Sequence, residues 1–424
     1  MTGQHQSRAV LAVAVTALLV AALSCSGGAA PDERSDADTL VWYVGSTDQN
    51  QEDYARGLAD DFEVANAPIR VRVEHTPKNT DRSREALVEA LAPGASDPPD
   101  VYLGDVIWPP EFAANHRALP LSDQFEASFW DRFEPVDVQA VTYQDKIYAA
   151  PFFADQGMLF YWKDLVPEPP KTWEDLVRDA NALVRKGKVK YGYVWHGAAY
   201  EGLTCIWTEV LADAGGSTLD PAQSRSAIDS PEALAALQFL RGLVAGGTSP
   251  QAVTTFEESE AKQLFASRQA AFLRGWNTAY SRMVSPNSPW YGKVGVAPLP
   301  SFTGRPGQGY STIGGWGLYI NPHTHRLEES KKLIRWMTDV QAQPRMAKLS
   351  HIPTNVTVRR AATGTTPAVA TGLQVARVPR PSSTAEYPAV SRAVYLNLHA
   401  ALEGKLSPQA ALDQADQQIN RVLR

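Results

Sequence analysis

The stretch from Lys146 to Trp173 places the strongest constraint on the fold, because it holds two apolar runs with polar residues between them. The runs cover residues 147–153 and 158–161, and the residues between them include Asp155, Gln156 and Gly157. This pattern predicts a strand that leaves one lobe, an exposed polar turn, and a strand that enters a second lobe. Asp155 beside aromatic side chains suits a neutral polyhydroxylated ligand, because carboxylates accept hydrogen bonds from hydroxyl groups and aromatic rings cover the apolar face of a pyranose.

Local signals indicate where two helices begin. Thr172 precedes a helical segment and Asp175 lies three residues later, which is typical of a helix N-cap. Ser230 and Pro231 form a similar start, with proline in the first helical position. We therefore expect one helix from Trp173 and another from Pro231.

The length of 424 residues is too large for one simple core and indicates two lobes. Early in the chain, strands are predicted at residues 39–44, 69–73 and 101–103, with helical segments between them. This alternation favours a parallel α/β sheet, whose ligands bind beyond the carboxyl ends of the strands. The loop after the first strand offers Gln51, with Asn50 and Glu52 as alternatives, and the loop after the third offers Asp105.

Composition and motifs narrow the classes of function. Charged residues make up 20% of the chain and the net charge is −6, so no basic surface invites nucleic acid. The sequence contains no G-x-S-x-G elbow, phosphate-binding loop or zinc-ligand spacing, and we expect neither a cofactor nor a metal ion. Asp105 and Asp155 could still be the paired carboxylates of a surface glycoside hydrolase, which is the alternative function. A third possible function is that of a receptor for another solute, such as a peptide or a polyamine.

The N-terminus carries the prediction of localisation. Arg8 is followed by the apolar run of residues 9–23, which is short for a bilayer span but typical of a signal peptide. The run ends in Ala-Leu-Ser before Cys25, which resembles a lipoprotein processing site, although the usual leucine three places before the cysteine is Ala22. We assign residues 1–25 to a lipoprotein signal peptide with its lipobox and residues 26–38 to a flexible tether. Cys25 would carry the lipid, and plain secretion is the alternative.

Two longer segments, Tyr191–Leu219 and Val294–Ile320, carry a family resemblance. The first contains His-Gly-Ala-Ala-Tyr-Glu-Gly-Leu at residues 196–203, and the second contains Gly-Gly-Trp at residues 314–316. With the stretch around Asp155, they closely resemble the extracellular solute-binding proteins (family 1) of sugar ABC importers, with the trehalose/maltose-binding group as the nearest relatives. The resemblance implies an α/β, periplasmic-binding-protein-like (type II) fold of two α/β lobes with three hinge crossings. The N-terminal lobe would comprise residues 39–149 and 312–350, and the C-terminal lobe residues 150–311 and 355–424.

The resemblance also implies polar contacts to the sugar. Relatives have Asp–Val–(Ile or Ala)–Trp at residues 105–108, and Asp105 takes the place of their contacting aspartate, with an N-cap as the alternative role. Gln51 falls near a family glutamate. Arg84 falls near a family arginine, although a solvated helix charge explains it equally well. Asn355 stands where relatives have an arginine that clamps the sugar, which is a departure from their pattern.

Aromatic and glycine residues complete the predicted site. Trp276 directly follows a predicted strand and Trp316 follows two glycines, and relatives carry tryptophans at both places. Gly314 and Gly315 let the backbone approach a ligand without an intervening side chain. Tyr200 and Glu201 open a helix at the mouth of the cleft, where Glu201 could instead complement the helix N-terminus.

These features together predict a binding protein and not an enzyme. The expected cargo is an α-glucoside disaccharide, trehalose or maltose, which two membrane permease subunits and a separate ATPase would import. We expect a monomer outside the cytoplasm, held at the cell membrane by the lipid on Cys25.

Overall fold

The computed structural model of the protein describes residues 39–45, 49–285, 287–305, 307 and 309–424, with only the backbone described at 49–53. The predicted signal peptide, the tether and Cys25 therefore lie outside the described residues. Residues Thr39–Arg424 form one unit of the chain. None of the helices in the described part is long and apolar enough to cross a membrane.

Twelve strands run through the described residues. They are β1 Thr39–Gly45, β2 Arg70–Thr76, β3 Val101–Asp105, β4 Thr142–Tyr143, β5 Lys146–Ile147, β6 Ala150–Trp162, β7 Tyr191–Val194, β8 Ala270–Trp276, β9 Val294–Ala297, β10 Tyr310–Ile320, β11 Ile352–Pro353 and β12 Ala376–Val378.

Sixteen α-helices lie between and after the strands of this part of the chain. They are α1 Gln49–Ala65, α2 Thr80–Ala90, α3 Pro109–Ala114, α4 Ala127–Trp130, α5 Pro135–Ala140, α6 Trp173–Arg185, α7 Glu201–Ala214, α8 Pro231–Ala245, α9 Glu258–Ala266, α10 Ala279–Met283, α11 Leu327–Met337, α12 Gln343–Lys348, α13 Val356–Ala361, α14 Pro367–Gly372, α15 Tyr387–Leu402 and α16 Pro408–Val422.

The main sheet has the strand order β2-β1-β3-β10-β6-β8-β7. Strand β1 is parallel to β2 and to β3, as the alternating pattern predicts, whereas β10 is antiparallel to both β3 and β6. The first half of β6 pairs with β10 and its second half pairs with β8 and β9. Strand β6 therefore belongs to two regions of sheet at once, and β11 pairs with it as well.

The predicted polar turn at residues 155–157 is wrong, because β6 continues through it. Asp155 pairs with Gly314, Gln156 with Ile313, and Gly157 with Trp276. Asn277 also contacts Gln156: the backbone N–H of Gln156 donates a hydrogen bond to Oδ1 of Asn277 at 2.6 Å. The sheet thus satisfies the backbone polar groups that a turn would have exposed to water.

Apolar side chains gather in separate clusters, one of which includes residues of the first half of β6 and another residues of its second half. One large cluster includes Trp42, Phe62 and Leu333 from β1, α1 and α11. Another includes Trp207, Leu240 and Leu398 from α7, α8 and α15. Each of these two clusters draws on its own set of helices.

Gly104 in β3 offers a test of the packing that positions the end of this strand. A Cβ at this position would lie 2.6 Å from Cε2 of Tyr319, whose hydroxyl donates to the Asp105 carbonyl at 2.9 Å. Because Tyr319 is buried and cannot retreat, we expect Gly104→Ala to lower the free energy of unfolding by about 1–2 kcal/mol in urea denaturation. Gly242 in α8 has open space around it, so Gly242→Ala is the matched control and should stabilise by about 0.5–1 kcal/mol. Equal stability of Gly104→Ala and the parent would contradict the packing argument.

Candidate functional site

A cavity of about 320 Å³ lies at the ends of β3 and β8 and along the middle of β6 and β10. This volume is within the range of small-molecule binding sites. Its walls include the predicted residues Asp105, Asp155, Glu201, Trp276, Gly314, Gly315 and Trp316. The structure thus brings together seven predicted residues that are as much as 211 positions apart in the chain, from Asp105 to Trp316.

Two half-buried indoles give the cavity its apolar surfaces. The Trp316 ring meets Trp108 edge to face, with centroids 5.6 Å apart and planes at 82°. The Trp276 ring carries the guanidinium of Arg274 at 4.1 Å from its centroid. Each indole is therefore held by a protein neighbour while it also lines the cavity, which is the arrangement that a stacking surface needs.

The adjacent glycines are required by the packing of this wall. A Cβ on Gly314 would lie 2.9 Å from Cζ3 of Trp276, so glycine allows the indole to approach β10. Gly315 has a φ of +142°, and a Cβ there would lie 2.6 Å from the Phe153 carbonyl oxygen. Any side chain at either position would push the wall into the cavity or distort the strand.

Asp155 projects from β6 into the cavity and has a side-chain exposure of 13%. Its Oδ1 accepts a hydrogen bond from Nδ2 of Asn277 at 3.1 Å and lies 3.0 Å from Nδ1 of His351. Among the residues that the structure describes, the second oxygen, Oδ2, receives no hydrogen bond. Asp155 is therefore oriented through one oxygen and can accept from a ligand hydroxyl through the other.

Arg380, which sequence reasoning missed, joins two of the predicted acids. It lies in the segment between β12 and α15, lines the cavity and is only 4% exposed. Its Nη2 donates to Asp105 Oδ1 at 2.7 Å and its Nη1 donates to Glu201 Oε1 at 2.9 Å. Its Nε–H is buried and has no partner within the described part of the chain. The only signal in the sequence was indirect: two buried carboxylates need a cation.

Glu201 is both a cavity residue and the centre of a buried network. Its carboxylate accepts hydrogen bonds from Arg380, from the Tyr387 hydroxyl at 2.7 Å and from the Ser391 hydroxyl. Burial raises the pKa of Glu201 to about 7, although the neighbouring Arg380 lowers it in part. Glu201 also stands in the first turn of α7, where a carboxylate complements the helix N-terminus.

Three predicted contacts do not line the cavity in the described structure. Arg84 instead donates to Glu111 Oε1 at 2.8 Å, and Tyr200 is buried at the N-cap position of α7. Asn355 caps α13: its Oδ1 accepts from two backbone N–H groups at the start of that helix and its Nδ2 donates to the Thr338 carbonyl. The side chain of Gln51 lies outside the described residues.

Within the described residues, no group of three or more His, Cys, Asp or Glu side chains is placed so that it could hold a metal ion. The cavity thus presents aromatic faces, a partly exposed carboxylate and a buried guanidinium, which is a set suited to recognise hydroxyl groups.

The chain resembles known proteins over most of its length. Residues 48–344 match the family model of bacterial extracellular solute-binding proteins. A probable ABC transporter-binding protein of Deinococcus radiodurans is 34% identical over 335 residues, which is 77% of this chain and 78% of that protein. These relatives are binding proteins of transporters and not enzymes.

Solved structures share the whole architecture. The maltose-bound MalE3 protein of T. maritima is 33% identical, with a TM-score of 0.84 over 90% of this chain and 99% of that chain. A solute-binding protein of Thermotoga lettingae bound with α-D-tagatose is 25% identical, with a TM-score of 0.81 over 91% of this chain and 100% of its own. The predicted periplasmic-binding-protein-like α/β fold is confirmed.

Proposed function

Because the chain belongs to the family of bacterial extracellular solute-binding proteins, we propose that it captures an α-glucoside disaccharide, maltose or trehalose, for an ABC importer. The observation that supports this cargo is the joint presence of Trp276, Trp316 and Asp155 on one cavity. Indole faces cover the apolar side of a pyranose, whereas the carboxylate accepts from its hydroxyl groups. The resemblance to a protein solved with maltose points to the same class of ligand.

We further propose that the protein binds its sugar between two lobes that close about a hinge. Residues 39–149 and 312–350 would form one lobe and residues 150–311 and 355–424 the other, with β6, β10 and the segment around β11 as the three crossings. A sugar that contacts both lobes stabilises the closed form, because only a difference in affinity between two states can shift their equilibrium. Two permease subunits would recognise the closed form, and a separate ATPase would drive import.

Localisation and stoichiometry rest on the sequence and the family. Cys25 would carry a lipid that holds a monomeric protein at the outer face of the cell membrane, and residues 26–38 would let it move above the permease. Gln51 stays a candidate contact because it lies in the first turn of α1, six positions after Gly45, which lines the cavity. Arg380 joins the proposed contacts through its Nε–H, which has no partner among the described residues.

Calorimetry of the purified chain with maltose, trehalose, sucrose and maltotriose tests the function. We expect binding of at least one of them, a change in tryptophan fluorescence and no released glucose. Trp276→Ala should weaken this binding by about 1–2 kcal/mol, or roughly 5- to 30-fold, because a desolvated stacking contact is lost.

Trp290→Ala provides the matched control. Trp290 also packs near a cationic side chain, Arg268, but it lies against Trp162 and is not among the described residues that line the cavity. Its loss should leave sugar affinity within about twofold of the parent. Released glucose would favour the glycoside hydrolase instead, and unchanged affinity of a folded Trp276→Ala would remove that indole from the site.

A further inference from the structure

His196 is a buried side chain of the cavity that the proposed function does not use. It lies between β7 and α7, is only 1% exposed and lines the cavity. Its imidazole faces Trp276, with ring centroids 6.4 Å apart and planes at 25°. The ring therefore stands beside the proposed stacking surface, at the end of the cavity formed by β8 and α7.

The neighbours of His196 determine which of its nitrogens carries the proton. Nη1 of Arg274 lies 3.3 Å from Nε2 of His196. Because a guanidinium has only donors, Nε2 must accept through its lone pair, and a neutral imidazole then bears its single proton on Nδ1. Burial, together with the positive charge of Arg274, holds the pKa of His196 well below its usual range, so the ring stays neutral.

Arg274 cannot turn away from this contact, because it is itself fixed. Its Nε donates to Glu209 Oε2 at 3.0 Å and its Nη2 donates to Glu209 Oε1 at 2.5 Å. Glu209 Oε1 also accepts from the backbone N–H of Thr312 in β10 at 3.1 Å. The tautomer of His196 is thus set by a buried ion pair that is tied to the central sheet.

The Nδ1–H of His196 is left without an acceptor among the described residues. A buried donor without a partner costs free energy, so a ligand atom that accepts a hydrogen bond there gains binding free energy.

The charge of the cavity indicates which kind of acceptor the ligand supplies. Six acidic and five basic residues line it, and Glu209 lies directly behind Arg274, so the surroundings favour a neutral oxygen over an anionic group.

We propose that the Nδ1–H of His196 donates a hydrogen bond to a hydroxyl or ether oxygen of the pyranose that stacks on Trp276. His196 is then a specificity-determining residue, because an epimer or deoxy sugar that lacks an oxygen at this point leaves the donor unpaired. This inference rests on the proposed function, since it requires that the ligand be a sugar.

A pair of substitutions separates the two nitrogens. His196→Gln places an amide near the position of Nε2, where its oxygen can still accept from Arg274, but it removes the donor at Nδ1. His196→Asn places an amide nitrogen near the position of Nδ1 and gives up the contact with Arg274. We expect His196→Gln to bind maltose about 3- to 10-fold more weakly than the parent, and His196→Asn to retain more affinity than His196→Gln.

A series of monodeoxy maltoses identifies the accepting oxygen and distinguishes a binding role from a structural one. For the parent, one derivative should bind about 3- to 10-fold more weakly than maltose, whereas His196→Gln should bind that derivative and maltose equally. Full affinity of His196→Gln, or the same discrimination by both proteins, would overturn the inference.

Two further outcomes are also decisive. If His196→Gln does not fold in thermal denaturation, equal binding of every monodeoxy sugar by the parent would still overturn the inference. If the parent binds no sugar of the panel at all, the proposed function fails and this inference fails with it. If the parent binds maltose and the His196 substitutions leave its affinity unchanged, the inference about His196 fails while the proposed function stands.

Discussion

Replacing Arg380 with methionine should lower the free energy of unfolding by about 3–5 kcal/mol, because it leaves buried carboxylates without their cation. Arg380 holds Asp105 at 2.7 Å and Glu201 at 2.9 Å, and all three side chains are at least nine-tenths buried. Methionine fills a similar volume but offers neither charge nor donor. Urea denaturation at neutral pH, followed by far-UV circular dichroism, measures the loss.

The same substitution should also weaken sugar binding. Arg380 lines the cavity, its Nε–H has no partner in the part of the chain that the structure describes, and it fixes the carboxylate of Asp105 at the end of β3. We expect at least a tenfold loss of maltose affinity for Arg380→Met at a temperature where the variant is folded.

Arg380→Lys is the matched control for the geometry of the guanidinium. Lysine keeps the positive charge but cannot reach two carboxylates with a planar fork, so it should recover part of the stability and little of the affinity. If Arg380→Met is as stable as the parent, the two acids do not depend on this cation, and the description of a bridged pair is wrong.

The sequence predicted best those features that short stretches of chain determine. The Thr172 hydroxyl accepts from the Asp175 backbone N–H at 3.1 Å, and the Ser230 hydroxyl accepts from the Ala233 backbone N–H at 3.1 Å, as the capping patterns predict. A cap involves atoms only a few residues apart, so composition and spacing suffice to identify it.

Features that depend on distant partners could not be predicted in this way. The polar residues 155–157 look like a turn, yet β6 passes through them because β8 and β10 pair on its two sides. Arg380 stands in an irregular segment where no periodicity marks it, and its importance comes from acids that are 275 and 179 residues away in the chain. The predicted role of Asn355 rested on an alignment position, whereas the start of α13 uses its side chain as a cap.

Four of the predicted residues that line the cavity, Asp105, Trp276, Gly314 and Gly315, are strand ends or adjacent glycines. Asp105 and Trp276 are the last residues of β3 and β8, where an α/β sheet presents its ligand contacts. Gly314 and Gly315 must be glycines because a Cβ at the first would clash with Trp276 and a Cβ at the second would clash with the backbone of β6. Local sequence signals thus mark residues that line the cavity, whereas the arginine that joins Asp105 to Glu201 is recognisable only from their arrangement in space.

Raising the pH from about 5 to about 8 should destabilise the protein through Glu201. Burial raises the pKa of its carboxyl to about 7 in the folded state, against an ordinary value of 4.5 in the unfolded chain. Between these values the folded state binds more protons, so the contribution to stability is fully present below pH 4.5 and is lost as the pH rises through 7. The loss for one group is about 2–3 kcal/mol over this interval.

Glu201→Gln isolates this contribution. Glutamine keeps the shape and one acceptor oxygen for Arg380 and Tyr387, and its amide can donate to the Ser391 hydroxyl, so the variant resembles the protonated parent. Between about pH 5 and pH 8, its free energy of unfolding should therefore fall by about 2–3 kcal/mol less than that of the parent in urea titrations.

Asp213→Asn should remove a second contribution of the same sign to the pH dependence of the free energy of unfolding, because burial raises the pKa of Asp213 to about 7. The Asp213 carboxylate accepts hydrogen bonds from Trp173 Nε1 and from the Tyr310 backbone N–H. The two groups belong to different hydrogen-bond networks, one around Arg380 and the other at the start of β10. The two substitutions should therefore have additive effects on how steeply the free energy of unfolding falls with pH.

Parallel pH profiles of the free energy of unfolding for Glu201→Gln and the parent would contradict the prediction for Glu201. They would show that Glu201 is already ionised at pH 5, with Arg380 compensating its burial completely.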